Sequence, residues 1–322
     1  MTRSGLDRLA ADPRLLARRL GSAEPRLGLV ANPTSVTADL KRSVEVVQGA
    51  GRLLALFGPE HGFYGEAQAG EPVADGRDEA TGLPVHSLYG AAKRPRRELL
   101  RGLDALVFDI QDSGLRWYTY LSTLVAVIEE LDALAAEGPA PALVVLDRPN
   151  PLSGAVVEGM ALEPAFASFV GALDLPARHG LTLGEAARLA AARRGPRIRL
   201  DVVELEGWSR GRHWPETGLP WVPPSPNLPT FDSNLAYAAT TLLEGTNISE
   251  GRGTTRPFEI FGAPWIGPEA LARELESRRL PGLAFRPCRF VPGFSKHSGE
   301  PCGGVQLHVR DRAAARMAEA GY

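Results

Sequence analysis

Four short, nearly continuous apolar runs stand out in the first half of the chain: RLGLVA at 26–31, LLALF at 53–57, ALVFDI at 105–110 and ALVVL at 142–146. Runs of this length without polar alternation suit strands covered on both faces, as in a parallel sheet. Helical patterns fall between them, at 43–49, 96–102 and 119–137. In the last of these, Leu121, Leu124, Ile128, Leu131 and Leu134 recur at three- and four-residue steps, the spacing of one helix face. Another helix is predicted at 182–193, where Thr182 and Glu185 have capping-box spacing, and a strand follows at 198–205. Strand and helix in alternation predict an α/β domain built on a doubly wound, mostly parallel sheet.

The texture then changes. WPETGLPWVPPSPNLPT, at 214–230, packs six prolines into 17 residues, which excludes regular structure there. Beyond it come a helical pattern at 235–244, a Gly/Thr-rich loop, a helical pattern at 268–277 and strand-like runs at 284–291 and 304–310. This predicts a larger domain over 1–225 and a second, smaller α+β domain over 226–322.

Composition narrows the function. Of 322 residues, 44% are hydrophobic and 23% charged, which excludes a disordered or fibrous chain. Lys and Arg number 36 against 38 Asp and Glu, a net charge of -2, so no sustained positive field favours nucleic acid or a membrane surface. No apolar run reaches the roughly 20 residues that cross a bilayer. Two cysteines, Cys288 and Cys302, exclude a disulfide scaffold and read as free thiols on or beside the last two strands. The first twenty residues carry no secretory apolar stretch, so a cytoplasmic protein or a mature secreted or periplasmic form is expected. Glycine (35) and proline (27) make up about a fifth of the chain, and their clustering predicts long structured loops, where sites are commonly built.

Those loops hold the candidate chemistry. Glu60 and His61 follow the second apolar run, at the strand end where ligands of open α/β sheets bind. A carboxyl leaving an apolar strand loses solvation, which raises its pKa and suits it to general-acid work. Asp109, Gln111, Asp112, Arg116, Trp117, Tyr118 and Tyr120 crowd the exit of the third run, a mixture of carboxylates, amide, cation and aromatics that suits a sugar. Asp147 and Arg148 end the fourth run and are expected to pair with each other. The loop from Leu243 to Glu259 offers Asn247, Glu250, Arg252 and Arg256. Structural roles fit the same residues: helix caps for the acids, core positions for the aromatics, and an ordinary surface loop for 243–259. No P-loop is present, and the first strand runs into ANPTS rather than G-x-G-x-x-G, which counts against a dinucleotide cofactor. The six histidines, at 61, 86, 179, 213, 297 and 308, have no metal-ligand spacing, so no metal is expected.

Seven segments carry a resemblance: GPEHGFYGEAQAGE (58–71), TGLPVHSLYG (81–90), FDIQDSGLRWYTYLST (108–123), LDRPNPLSG (146–154), GLPWVPPSPNLPT (218–230), LLEGTNISEGRGTTRPFEIFGAPWI (242–266) and FSKHSGEPCGGVQLHV (294–309). In this order they resemble the NamZ family of exo-β-N-acetylmuramidases. The resemblance implies a Rossmann-like N-terminal domain, a smaller C-terminal domain and an active cleft between them. It implies hydrolysis of terminal β-1,4-linked N-acetylmuramic acid from non-reducing ends of peptidoglycan fragments, with no cofactor and with peptidoglycan-derived saccharides as partners. Glu60 then corresponds to the catalytic acid, beside His61. The second group is left among Asp112, Glu250 and the substrate's own acetamido group. Asn32, Asp109, Gln111, Arg116, Tyr118, Arg148, Asn227, Asn247, Arg252 and Arg256 are the substrate-contact candidates. Because muramic acid carries a lactyl carboxylate, a guanidinium is expected to read it; Arg252 and Arg256 lead, with Arg116 and Arg148 as rivals. Family members also run on past the position of Tyr322, so the smaller domain is expected to be cut short. Two other classes fit less well: a non-catalytic muropeptide- or sugar-binding module, and a nicotinamide enzyme, which the missing glycine fingerprint disfavours.

Overall fold

The apolar runs become the centre of a seven-stranded sheet with strands β1 (Arg26–Ala31), β2 (Arg52–Gly58), β3 (Gly76–Arg77), β4 (Pro84–Ser87), β5 (Ala105–Asp109), β6 (Ala142–Leu146) and β7 (Leu200–Val203). This computed structural model describes residues 1–195 and 197–322. The strand order is β3-β4-β2-β1-β5-β6-β7, and every neighbouring pair is parallel except β3 with β4. Helices α1 (Gly5–Ala11), α2 (Leu15–Leu20), α3 (Ser43–Gln48), α4 (Arg97–Leu100), α5 (Thr119–Glu137) and α6 (Leu183–Arg194) supply its covering layers. Val30 sits opposite both Phe57 and Phe108, and Phe108 opposite Val145, so the carboxyl ends of β2, β1, β5 and β6 finish at one edge. Leu27, Leu29, Leu56, Val107 and Val144 are fully buried between the layers. Elements thus fall where the runs predict them, and α5 has the predicted ends.

The capping box of α6 forms as spaced, with Thr182 accepting from the Glu185 amide. Two differences have physical causes. Helix α5 is buried all round from Thr119 to Ile128, not along one stripe, because its first turns run inside the fold. Strands β3 and β4 were invisible in the sequence: one is two residues long and the other half-buried, so neither makes an apolar run. Among the described residues no helix is long and apolar enough to cross a membrane.

The chain divides into two compact units. The unit just described comprises Met1–Val157, Ala161–Leu175 and His179–Pro226. The other comprises Asn227–Tyr322 together with two short segments from earlier in the chain, Glu158–Met160 and Pro176–Arg178. In this second unit β8 (Ile260–Ala263), β9 (Leu283–Phe290) and β10 (Cys302–Val309) form an antiparallel sheet in the order β8-β10-β9. Helices α7 (Phe231–Thr240), α8 (Pro268–Ser277) and α9 (Met317–Ala320) complete it. Helix α7 starts before the predicted 235 because Thr230, directly after the last proline, caps it by accepting from the Ser233 amide. Gly262 lies opposite Gly304 across β8 and β10. A Cβ on either would meet a backbone oxygen at 2.1 Å, so only glycine permits this approach. Cys288 faces Gly304 and Cys302 faces Phe290, and both thiols are free.

The two short segments are bound within this unit by an ion pair. Glu158 and Arg178 exchange backbone hydrogen bonds of 3.0 Å, and Arg178 Nη1 donates to Glu158 Oε1 at 2.9 Å. Glu158 Oε2 accepts the Ala318 amide at 2.9 Å, and both charged side chains are 1% exposed.

Candidate active site

The loop after β2 turns within one step. The Gly62 amide donates to Pro59 O at 3.0 Å, and His61 and Gly62 both take left-handed backbone, with φ of 69° and 82°. Left-handed backbone is uncommon outside glycine, though histidine adopts it more readily than most residues. The turn leaves Glu60 buried at 8% exposure. Its Oε1 accepts the Gly70 amide at 2.8 Å and its Oε2 accepts the Thr119 hydroxyl at 2.5 Å, the short range of a charge-assisted bond. The Tyr89 hydroxyl also bonds this carboxyl; burial first, then the Glu60 charge, push that phenol up to about 12. Thr119 opens α5, so the helix's positive end adds to the field around the carboxyl. His61 Nδ1 lies 2.8 Å from Ala67 O, an acceptor only, so Nδ1 carries a proton.

Tyr120 links Glu60 to the neighbouring strand ends. Burial raises its phenol pKa, the Glu60 charge adds to this, and Asn32 and Tyr118 hydrogen-bond it, with Asp112 acting on it by charge. Its ring packs edge-on against Tyr118 at 4.8 Å. Asn32 Oδ1 in turn accepts the Thr34 amide at 3.0 Å. Gln111 is anchored by its Nε2, which donates to Asp112 O at 2.8 Å and Pro149 O at 3.0 Å. Asp112 Oδ2 accepts the Gly114 amide at 2.8 Å. Burial pushes the Asp112 carboxyl up to about 7, against the stabilising Gly114 and Leu121 amides. On the same unit a cavity of about 360 Å³ is lined by Asn32, Pro33, Arg42, Phe63 and Tyr64, a volume in the range of small-molecule sites.

Asp109 and Arg148 are brought together, but on each other. Arg148 Nε and Nη2 reach the two Asp109 oxygens at 2.7 and 3.0 Å, and Nη2 also donates to Val36 O at 3.0 Å. Both are buried, and desolvation raises the Asp109 pKa in spite of Arg148. The side-chain pair expected between Asp147 and Arg148 does not form. Asp147 takes the Thr182 hydroxyl and the Gly184 amide, each at 2.8 Å, and so anchors the start of α6. Arg116 Nη1 donates to Leu175 O at 2.6 Å while its guanidinium stacks on Trp117.

The remaining candidates belong to the second unit. Glu250, 1% exposed, has Arg252 Nη1 at 3.1 Å and Lys296 Nζ at 3.2 Å. Arg252 also bonds Glu244 and lies over the Phe258 ring at 4.9 Å. Arg256 is half-exposed with Glu259 at 3.2 Å, Asn227 is buried, and the Asn247 carbonyl accepts His297 Nε2 at 2.7 Å. Among the described residues no group of three or more His, Cys, Asp or Glu is arranged to hold a metal ion. The Glu60 partners Gly70, Tyr89 and Thr119 were not singled out from sequence. Gly70, Tyr89 and Thr119 do lie inside motif segments, at the ends of GEAQAGE, SLYG and WYTY, which is the signal that marks them.

Asp112 gives a pH signature. Its folded-state pKa of about 7 stands above the ordinary carboxyl value of 3.8, so its contribution to stability is complete at low pH and is lost as pH rises through 7. Asp112→Asn is therefore expected to gain on the native protein by up to about 4 kcal/mol between pH 4 and 8. Thermal unfolding of both across that range measures it; parallel pH curves would refute it.

A mostly parallel α/β unit that cages a carboxyl among an amide and two hydroxyls at its strand ends, joined in one chain to a small antiparallel unit, defines an enzyme-like two-unit α/β protein. Comparison with known proteins narrows this. The family description "Exo-beta-N-acetylmuramidase NamZ, N-terminal" matches residues 27–232, and "Exo-beta-N-acetylmuramidase NamZ, C-terminal" matches 235–322. The chain belongs to the NamZ family. It is 50% identical over 289 residues to Peptidoglycan beta-N-acetylmuramidase NamZ of Bacillus subtilis (strain 168), covering 89% of this chain and 69% of that protein. Two crystal structures of DUF1343 family proteins from Bacteroides fragilis NCTC 9343 share the fold. One superposes with a TM-score of 0.88 at 36% identity, covering 99% of this chain and 80% of the other. The second gives 0.74 at 29% identity, covering 95% and 76%.

Proposed function

We propose that this chain is an exo-acting glycoside hydrolase that releases terminal β-1,4-linked N-acetylmuramic acid from the non-reducing ends of peptidoglycan fragments, with Glu60 as general acid. Its membership of the NamZ family and its identity to the Bacillus subtilis enzyme support the activity. The observation that carries the residue assignment is the caged Glu60 carboxyl, buried at the strand edge with Gly70, Thr119 and Tyr89 around it.

Glycoside hydrolysis needs a proton delivered to the leaving oxygen as the sugar ring gains oxocarbenium character. The Gly70 amide is a fixed donor, but the Thr119 and Tyr89 hydroxyls can rotate to accept. The cage therefore holds the carboxylic acid and the carboxylate in one position, so the proton can leave without repacking. Turnover also needs a second group on the far face of the sugar. Asp112, with a pKa of about 7, exchanges its proton near neutrality and acts by charge on Tyr120, as Glu60 does, which supports it for that role. Asn32 and Gln111 are the hydroxyl-bonding amides on this edge.

Incubation with a defined disaccharide bearing a non-reducing N-acetylmuramyl unit, followed by mass spectrometry, tests the activity. Free N-acetylmuramic acid is the expected product, with N-acetylglucosaminyl-terminated chains left intact. Measurable binding with no released sugar would overturn the hydrolase reading in favour of a sugar-binding module.

A further inference from the structure

Lys93 stands out among its neighbours. The segment from Lys93 to Arg101 carries five basic residues, and four have carboxylate partners: Arg94 with Glu130 at 2.8 Å, Arg96 with Asp75 at 2.6 Å, Arg97 with Glu130 at 2.7 Å and Arg101 with Glu137 at 2.6 Å. Among the described residues Lys93 has no carboxylate within ion-pair distance. Its ammonium instead lies 4.7 Å from the centre of the Tyr89 ring and 5.0 Å from that of Phe169, two rings themselves 5.9 Å apart. Its backbone is left-handed, with φ of 41°, a conformation a lysine holds only where the surroundings impose it.

Tyr89 is the same residue whose hydroxyl bonds Glu60. Lys93 thus presents a positive charge one side chain away from the proposed acid: its ammonium lies against two aromatic rings, and the residue is solvent-exposed. By contrast, Arg252 and Arg256 face Glu250 and Glu259, Arg148 is taken by Asp109, and Arg116 donates to a carbonyl. We propose that Lys93, seated on Tyr89 and Phe169, binds the carboxylate of the substrate's lactyl group and so selects muramyl over glucosaminyl sugars. This rests on the hydrolase reading given above and adds the residue that determines its specificity.

The test compares an aryl β-N-acetylmuramide as its free acid with the same compound as its neutral lactyl methyl ester, in the native chain and in Lys93→Met. Methionine keeps an apolar stem over the rings. Removal of one charge-assisted contact predicts a fall of about 10- to 100-fold in kcat/KM for the acid, expressed through KM, and collapse of the acid-over-ester preference. Lys93→Arg is expected to restore part of that preference. If Lys93→Met depresses acid and ester alike, or leaves the preference intact, the assignment is overturned while the hydrolase reading stands. If the native chain releases sugar from neither compound, the hydrolase reading fails and this assignment falls with it.

Discussion

Glu60→Gln is expected to lower turnover of an aryl β-N-acetylmuramide by about 100- to 10,000-fold, the usual worth of a positioned general acid, with the unfolding midpoint nearly unchanged. The amide matches the carboxyl in shape. Its oxygen can keep the Gly70 bond and its NH2 can donate to the Thr119 hydroxyl, which reverses its role at little cost. What the amide lacks is a proton to give to the leaving oxygen. Steady-state kinetics and thermal unfolding on one preparation separate the two effects. A near-native rate would remove Glu60 from the mechanism; a large drop in unfolding temperature would show that its role is architectural.

Arg178→Met is expected to destabilise the second unit by about 3–5 kcal/mol, the loss typical when one partner of a buried ion pair is removed. Glu158 would remain, 1% exposed, with its Oε1 facing no cation and only the Ala318 amide on Oε2. Burial already opposes the Arg178 charge, lowering its pKa, and Glu158 offsets that burial. A double variant, Glu158→Gln with Arg178→Met, is expected to recover part of the loss, because it leaves no buried charge uncompensated. Unfolding curves for the two variants decide it. A single variant as stable as the native chain would mean that the pair is energetically neutral.

The parallel sheet was legible because its central strands are nearly continuous apolar runs. β1, β6, α5 and α8 have their predicted ends. β8 was not, since IFGA is short and includes the glycine needed for close approach to β10. In the site, Glu60 and His61 were legible from their place after a strand, but the cage was not. Its donors Gly70 and Thr119 lie 10 and 59 residues along the chain, a relation that only the fold creates. The misread pair is instructive. Asp147 and Arg148 are sequence neighbours, yet consecutive side chains leaving a strand point to opposite sides. One therefore reaches the start of α6, and the other crosses to the strand next door.

The interleaved course of the backbone has a practical corollary. It enters the smaller unit at 158–160 and again at 176–178 before Asn227 begins the main part of that unit, so severing the proline-rich stretch at one point does not release either piece. The amino-terminal fragment would still be gripped through the Glu158 clasp on the Ala318 amide. Dissecting this molecule into halves is thus a matter of excising a threaded segment, not of choosing a cleavage site.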